Sequence, residues 1–273
     1  MKIKDHFLSQ EIFNIEETSI KGVLKTSPIP QDIGKYYESK DYISHHQDSG
    51  SIKEKIYKFL QGFNLKYKKE NLEKAISNKP ISVLDYGCGA GEFVKFISDD
   101  FLTFGYEPNE KARHFAQQKS PKTKFISSLD EIDNNSLDAI TLWHAFEHIE
   151  NQQEILELFK MKLKDDGKLI IAVPNYKSYD AQYYQEFWAA YDVPRHIFHF
   201  SQEGMYELMK QNHLRVEQVA PLLLDSFYIS ILSEKYKKNP FFWLFGGIHG
   251  AISNFKAVKT GEFSSLIYIV RKI

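Results

Sequence analysis

Between residues 80 and 220, short apolar runs alternate with stretches whose apolar residues recur every three or four positions. The runs predict buried strands, and the spaced stretches predict amphipathic helices. We predict strands at 81–85, 102–107, 124–126, 137–143, 168–173 and 214–219, with a seventh at 265–270. Strands that alternate with helices in this way are typical of an α/β protein with a largely parallel sheet.

The segments outside this core are less regular. Residues 1–79 predict an N-terminal extension or cap with helices near 52–60 and 65–77, and residues 80–273 predict the main domain. Insertions are expected at about 176–200, which is rich in aromatic residues, and at 221–262, which is apolar. The second insertion predicts a lid or a wall of a lipophilic pocket. A homodimer contact and a membrane-surface contact are the alternatives.

Composition narrows the class of protein. The 273-residue chain has 42% hydrophobic and 26% charged residues, which is ordinary for a globular protein. Its net charge of −1 gives no general attraction to nucleic acid or to an anionic membrane. The single cysteine excludes an intrachain disulfide. With no apolar signal core at the start and no apolar stretch long enough to span a bilayer, we expect a cytoplasmic protein.

A glycine-rich turn follows the first predicted strand. Residues 83–92 spell Val-Leu-Asp-Tyr-Gly-Cys-Gly-Ala-Gly-Glu and lead into helical spacing. Glycine allows backbone angles that side chains disfavour, and it lets the backbone approach a ligand. Glu107 ends the neighbouring strand, where a carboxylate can accept hydrogen bonds from two ribose hydroxyls. It can also serve merely as a favourable acid at a helix N-terminus.

The glycine spacing distinguishes between two nucleotide-type cofactors. Gly91 comes one residue too early for the Gly-x-Gly-x-x-Gly pattern of dinucleotide dehydrogenases. The acid before the turn, Asp85, suits a ligand that carries an ammonium group instead of a pyrophosphate. The turn therefore favours S-adenosyl-L-methionine over a nicotinamide dinucleotide.

The chain resembles the class I S-adenosylmethionine-dependent methyltransferases, in particular the methyltransferase-23 and ubiquinone-biosynthesis-like group. The resemblance rests on residues 84–91, 106–109, 137–149 and 162–169, and it extends over about 80–215. It implies a Rossmann-like, seven-stranded, mostly parallel sheet with strand order 3-2-1-4-5-7-6. Relatives in this group carry zinc-binding cysteines that this chain lacks, so no metal is expected.

The resemblance also implies which residues bind the cofactor. These residues lie in the glycine turn, at the end of the second strand and after the third strand, and two of them, near the sulfonium or carboxylate, end or follow the fourth strand. The implied residues are Asp85, Tyr86, Gly87, Cys88, Gly89 and Gly91 for the methionine part, Glu107 for the ribose, Pro108, Asn109, Ser128 and Leu129 for the adenine, and Trp143 and His144 for the sulfonium end.

Two histidines are candidates for a catalytic base. Methyl transfer from a sulfonium needs positioning, plus proton removal when the acceptor is a hydroxyl or amine. His148 follows the fourth strand, and His196 lies in a Pro-Arg-His segment after the fifth. The alternative is that both only hold their loops together. The adjacent His45 and His46 lack the spacing of a metal pair on one helical face.

These observations predict a methyltransferase acting on a small aromatic or lipophilic acceptor, with methylation at oxygen favoured. A non-catalytic S-adenosylmethionine-binding module and a methyltransferase acting on a macromolecule are alternatives, and a nicotinamide dehydrogenase is a further one. No nucleic-acid partner is expected.

Overall fold

The structure, a computed structural model, describes residues 1–37, 52–76 and 81–273. The His45–His46 pair lies outside the described residues. The main-sheet strands are β4 (Ser82–Tyr86), β5 (Leu102–Tyr106), β6 (Lys124–Ile126), β7 (Leu137–Trp143), β8 (Leu163–Pro174), β10 (Leu214–Pro221) and β11 (Ser265–Lys272). The smaller sheet contains β1 (Lys2–Lys4), β2 (Ile12–Glu17), β3 (Val23–Ser27) and β9 (Phe198–Phe200).

The main sheet has the order β6-β5-β4-β7-β8-β11-β10. Strands β6, β5, β4, β7 and β8 are parallel to their neighbours, whereas β11 is antiparallel to both β8 and β10. In the order of the predicted strands this is 3-2-1-4-5-7-6, so the predicted topology is confirmed. Because the order reverses between β4 and β7, their carboxyl ends border a crevice suited to a ligand.

Helices cover both faces of the main sheet. The helices are α1 (Ile52–Ala75), α2 (Glu92–Ile97), α3 (Glu110–Lys119), α4 (Gln152–Lys162), α5 (Tyr179–Tyr184), α6 (Gln202–Gln211), α7 (Asp225–Tyr236) and α8 (Phe242–Thr260). One core contains Leu72 of α1 and Phe93 of α2, and a second contains Phe159 of α4 and Met205 of α6. The second half of β8, residues 169–174, is therefore a continuous apolar run because both of its faces are buried.

The N-terminal extension contains the predicted helix but begins with strands that the sequence analysis missed. The two predicted helices form one continuous helix, α1, and β1 to β3 precede it. These strands are three to six residues long, with side chains that alternate between buried and exposed. Such short strands leave little periodic pattern in the sequence. Strand β3 pairs with β9, so the extension and the 176–200 insertion build one sheet.

The aromatic residues of the 176–200 insertion mostly fill a third core. Tyr184, Trp188 and Tyr191 are buried there with Phe13 of β2 and Ile229 of α7. The aromatic density of this insertion is therefore explained largely by packing between the small sheet, the insertion and α7.

Glycines permit the closest contact between the small sheet and the main domain. A Cβ atom on Gly204 of α6 would lie 2.1 Å from the carbonyl oxygen of Gly22 in the β2–β3 turn.

We expect Gly204→Ala to lower the free energy of unfolding by about 1–3 kcal/mol, since the backbone must move. Urea denaturation would measure this change.

Gly247→Ala is the matched control because no atom lies within 4 Å of its added Cβ. In the interior of α8 it should stabilise the protein by roughly 0.5–1 kcal/mol. Equal effects of the two substitutions would contradict the proposed close contact.

Candidate active site

The glycine turn lies at the carboxyl end of β4, between two neighbouring backbones. Gly87, Gly89 and Gly91 all have positive φ angles, of 78°, 55° and 79°. A Cβ at Gly87 would come within 2.6 Å of the Ala145 Cβ, and one at Gly91 within 2.8 Å of the Ala116 Cβ. Gly89 faces open space, with no atom within 4 Å of an added Cβ. The turn therefore presents bare backbone to the crevice at Gly89.

Glu107 faces this turn from the end of β5. Its Oε2 accepts a hydrogen bond from the Gly89 amide at 2.9 Å, and its Oε1 accepts one from the Asn109 amide at 2.9 Å. The two bonds orient the carboxylate while leaving further lone pairs on both oxygens. This geometry suits the predicted ribose contact.

Asp85 is buried beneath the turn. Its Oδ1 accepts a hydrogen bond from the Thr141 hydroxyl of β7 at 2.7 Å. Burial raises the pKa of Asp85 to about 6, while Thr141 and the charge of Lys68 act in the opposite direction. A cationic ammonium brought next to this carboxylate would favour its ionised form.

Lys68 of α1 and Trp143 at the end of β7 form the opposite side of the crevice. The Lys68 Nζ lies 4.8 Å from the centre of the Trp143 ring, which packs edge-on against Phe93. The Trp143 indole N–H is buried without a hydrogen-bond partner among the described residues. Burial lowers the pKa of Lys68, although Asp225 and Asp85 counteract it.

These features fit S-adenosylmethionine. The Glu107 carboxylate complements its ribose hydroxyls, and the Asp85 carboxylate complements its ammonium group. Lys68 and the unpaired Trp143 N–H complement its carboxylate, and the bare backbone at Gly89 leaves room for the ligand.

Several other predicted cofactor residues have structural partners. The Asn109 side chain caps α3 by accepting from the Ala112 amide, and Ser128 caps the short helical turn Leu129–Glu131. Leu129 is buried in the core, and Pro108 is exposed. Their predicted adenine contacts are not tested and stay predictions.

Tyr86 and Cys88 also face protein atoms. Tyr86 stacks on Tyr106 with ring centres 4.4 Å apart, and burial raises the pKa of the Cys88 thiol. Their side chains therefore pack beside the turn, and their predicted cofactor contacts stay predictions.

His144 stands between two carboxylates. Its Nε2 donates to the Asp225 Oδ2 at 2.7 Å, and its Nδ1 lies 3.3 Å from the Glu147 Oε1. Burial alone would lower the pKa of His144, but Asp225 and Glu147 raise it to about 10. The ring is therefore an imidazolium at neutral pH. It joins the end of β7 to the start of α7.

His148 and His196 come together on the other side of Glu147. Their rings are perpendicular, with centres 4.7 Å apart. The His148 Nδ1 donates to the Arg195 carbonyl at 2.8 Å, and the His196 Nδ1 donates to the Ala190 carbonyl at 2.9 Å. Because a carbonyl only accepts, the neutral His196 ring keeps a lone pair on Nε2. The His148 Nδ1 also lies 3.0 Å from the Tyr37 hydroxyl.

Glu147 supports this histidine pair. Its side chain has no solvent exposure, and the His196 Nε2 lies 3.9 Å from its Oε1. Burial alone would raise the pKa of Glu147, but its histidine neighbours lower it to about 2. Atoms of Glu147, His148 and His196 lie within 4.8 Å of one another, so this trio can also hold a metal ion. The expected absence of a metal stays a prediction.

Comparison with known proteins identifies the family. Residues 57–219 match the methyltransferase domain family named Methyltransf_23. The chain belongs to this family. The predicted resemblance to class I S-adenosylmethionine methyltransferases is thereby confirmed, and the family implies S-adenosylmethionine binding.

The curated relatives match only part of the chain. An uncharacterized protein of Methanocaldococcus jannaschii is 29% identical over 144 residues, covering 49% of this chain and 56% of that protein. An uncharacterized methyltransferase of Schizosaccharomyces pombe is 27% identical over 111 residues, covering 34% of this chain and 38% of that protein. The match thus spans 56% or less of the length of each of these relatives.

Solved structures share the fold. An S-adenosylmethionine-dependent methyltransferase from Archaeoglobus fulgidus has a TM-score of 0.51 at 20% identity, covering 79% of this chain and 94% of that chain. A Haloferax volcanii protein in complex with the Trm112 methyltransferase activator has a TM-score of 0.52 at 16% identity, covering 78% and 96%. At this identity the likeness shows the fold alone.

Sequence reasoning missed Lys68 and Asp225 as crevice residues. Lys68 belongs to a lysine-rich helix in which no spacing sets it apart, and Asp225 lies in the second insertion. Only the packing of α1 and α7 against the strand ends brings them together.

We expect Glu107→Gln to weaken binding of S-adenosylhomocysteine about tenfold or more, since hydrogen bonds to a charged acceptor are lost. Isothermal titration calorimetry would measure the dissociation constant. Glu110→Gln, at the exposed first turn of α3, is the control and should bind normally. Equal affinities for the two variants would exclude Glu107 as the ribose ligand.

The raised pKa of His144 predicts a pH-dependent contribution to stability. That contribution is fully present below the ordinary value of 6.5 and is lost as the pH rises through about 10. The difference in unfolding free energy between the wild type and His144→Gln should therefore shrink from about pH 6 to pH 10. Urea denaturation across this range would test it. His114→Gln, at an exposed site, is the control, and a constant difference for His144→Gln would contradict the ion pairs.

Proposed function

We propose that this protein transfers the methyl group of S-adenosylmethionine to a hydroxyl oxygen of a small-molecule acceptor. The observation that carries the proposal is the His148–His196 pair, which has ring nitrogens within 4.8 Å of one another and of a buried Glu147 oxygen. Glu147 in turn contacts His144, directly after β7 at the crevice. An acceptor hydroxyl must lose a proton during methylation, and this pair offers a place for it.

The cofactor half of the proposal uses the crevice residues. Glu107 accepts hydrogen bonds from the ribose hydroxyls, and Asp85 attracts the ammonium group. Lys68, which the fold brings beside Trp143, is assigned to the methionine carboxylate. When bound, the cofactor supplies an electrophilic methyl group on a sulfonium.

The acceptor half assigns the proton to His196. Burial and the nearby His148 lower the pKa of His196 to about 4, so its Nε2 is unprotonated at neutral pH. A group with so low a pKa is a weak base. The Glu147 carboxylate, whose Oε1 lies 3.9 Å from the His196 Nε2, would stabilise the imidazolium as it forms.

The proposal that the acceptor is lipophilic has less support than the proposal that it is methylated at oxygen. The reason is that the aromatic residues of the 176–200 insertion lie largely in a core. The domain division at residues 79 and 80 likewise remains a proposal.

We expect His196→Gln to lower kcat by about 10²–10⁴-fold without changing affinity for S-adenosylhomocysteine. Turnover on a panel of hydroxyl acceptors and calorimetry would measure the two effects. The His114→Gln variant, at an exposed site, is the matched control.

Normal turnover by His196→Gln would remove this residue from the mechanism. If the wild type binds the cofactor but methylates no acceptor, a non-catalytic binding module is favoured. Methylation of tRNA or protein alone would instead identify a macromolecular acceptor.

A further inference from the structure

The outward side of α8 carries a continuous apolar strip. Leu244, Ile248, Ala251, Phe255 and Val258 follow one another four and three residues apart, so they share one side of the helix. All five are exposed, Phe255 at 74% and Val258 at 76%. We call these five residues the outer stripe.

The opposite side of α8 explains why the outer stripe faces away from the protein. Small residues, Gly246 and Gly250, lie against α7, where an added Cβ would come within 2.5 Å of Ile231 and 2.8 Å of Phe227. Ser253 and Ala257 continue this buried side. Because the inner side packs so closely, the bulky residues of α8 occupy the outer side and its edges.

Aromatic residues and lysines surround the turn that joins α7 to α8. Phe241 and Trp243 are 57% and 61% exposed. Lys235, Lys237 and Lys238 are exposed just before them. Exposed tryptophan beside lysine is typical of the boundary between lipid headgroups and acyl chains.

The charge of the segment 235–261 favours an anionic partner. Residues 235–261 contain five lysines and no aspartate or glutamate, although the whole chain has a net charge of −1. The preceding acid, Glu234, is buried; it accepts a hydrogen bond from Asn239, and its Oε1 lies 3.9 Å from the Lys237 Nζ. The segment itself holds no acid for its other four lysines. The exposed surface of the segment is therefore both apolar and cationic.

Two occupants suit an exposed apolar helix side: a second copy of this chain and a lipid surface. The four-and-three spacing is also that of a helix–helix seam. A two-fold contact, however, would bring two sets of these lysines together without acids to balance them. An anionic bilayer supplies both the apolar phase and the opposite charge.

We propose that the α7–α8 hairpin docks this protein on an anionic membrane surface. The outer stripe and Trp243 enter the headgroup boundary, and the lysines contact lipid phosphates. The attachment is peripheral, since no helix among the described residues is long and apolar enough to cross a bilayer. The hairpin also carries Asp225, which bonds His144, so one element contributes both to the docked face and to the candidate active site.

The proposal requires neither bound cofactor nor methyl transfer, so its test is independent of the proposed function. The 273-residue protein is sedimented with phosphatidylcholine vesicles with and without phosphatidylglycerol. We expect binding only to the anionic vesicles, weakening as salt is raised. A blue shift of tryptophan fluorescence on binding, absent in Trp243→Tyr, would place this residue at the boundary. No binding to either vesicle type would overturn the proposal.

Variants separate the two contributions. Lys238→Glu with Lys259→Glu should lower partitioning by roughly fivefold for each lysine charge removed. Phe255→Ser should lower it about tenfold or more, through lost apolar burial. The controls are Lys95→Glu with Lys122→Glu for charge, and Ile12→Ser for exposed apolar area, all at exposed sites outside the hairpin.

If the hairpin variants and the control variants lower vesicle partitioning equally, the proposal is overturned. Sedimentation velocity decides the rival occupant: self-association that Phe255→Ser abolishes, without vesicle binding, would assign the outer stripe to a second copy. Circular dichroism verifies that each variant is folded.

Discussion

The buried carboxylate of Glu147, which has no access to water, organises the junction of the main sheet, the α7–α8 hairpin and the small sheet. A buried charge is costly unless it is paired, and here the imidazolium of His144 faces it. His144 in turn bonds Asp225 of α7, while His196 approaches Glu147 from the insertion after β8. The main sheet, the hairpin and the small sheet thus meet around one charge.

The small sheet is part of this junction. Thr26 of β3 donates from its hydroxyl to the His196 carbonyl, and its amide donates to the Ile197 carbonyl. Ile197 donates its own amide to the Glu147 carbonyl. Buried Arg195 pairs with Asp5, which follows β1, and with Asp192. The N-terminal strands therefore hold the backbone of His196, the candidate base, in place. They would affect proton transfer only by positioning this residue.

The α7–α8 hairpin connects this site to the surface. Its inner side is buried through small residues, which leaves large apolar side chains outside. A net charge near zero says nothing about such a surface, because five lysines concentrate within 27 residues that lack acids. Local charge, and not the whole-chain balance, governs the attraction of a surface to lipid.

The sequence by itself determined the strands of the main sheet and indicated the cofactor class, and the family resemblance supplied the strand order. Strands buried on both faces leave runs rich in apolar residues, and the turn needs glycine at the alternate positions 87, 89 and 91, so both leave patterns within a few residues. It did not reveal the three short N-terminal strands, the meeting of His148 with His196, or the approach of Lys68 to Trp143. The strands are too short to leave a periodic pattern, and the two contacts join residues far apart in the chain. Only tertiary packing decided them, because no local period records which distant side chain fills a given space.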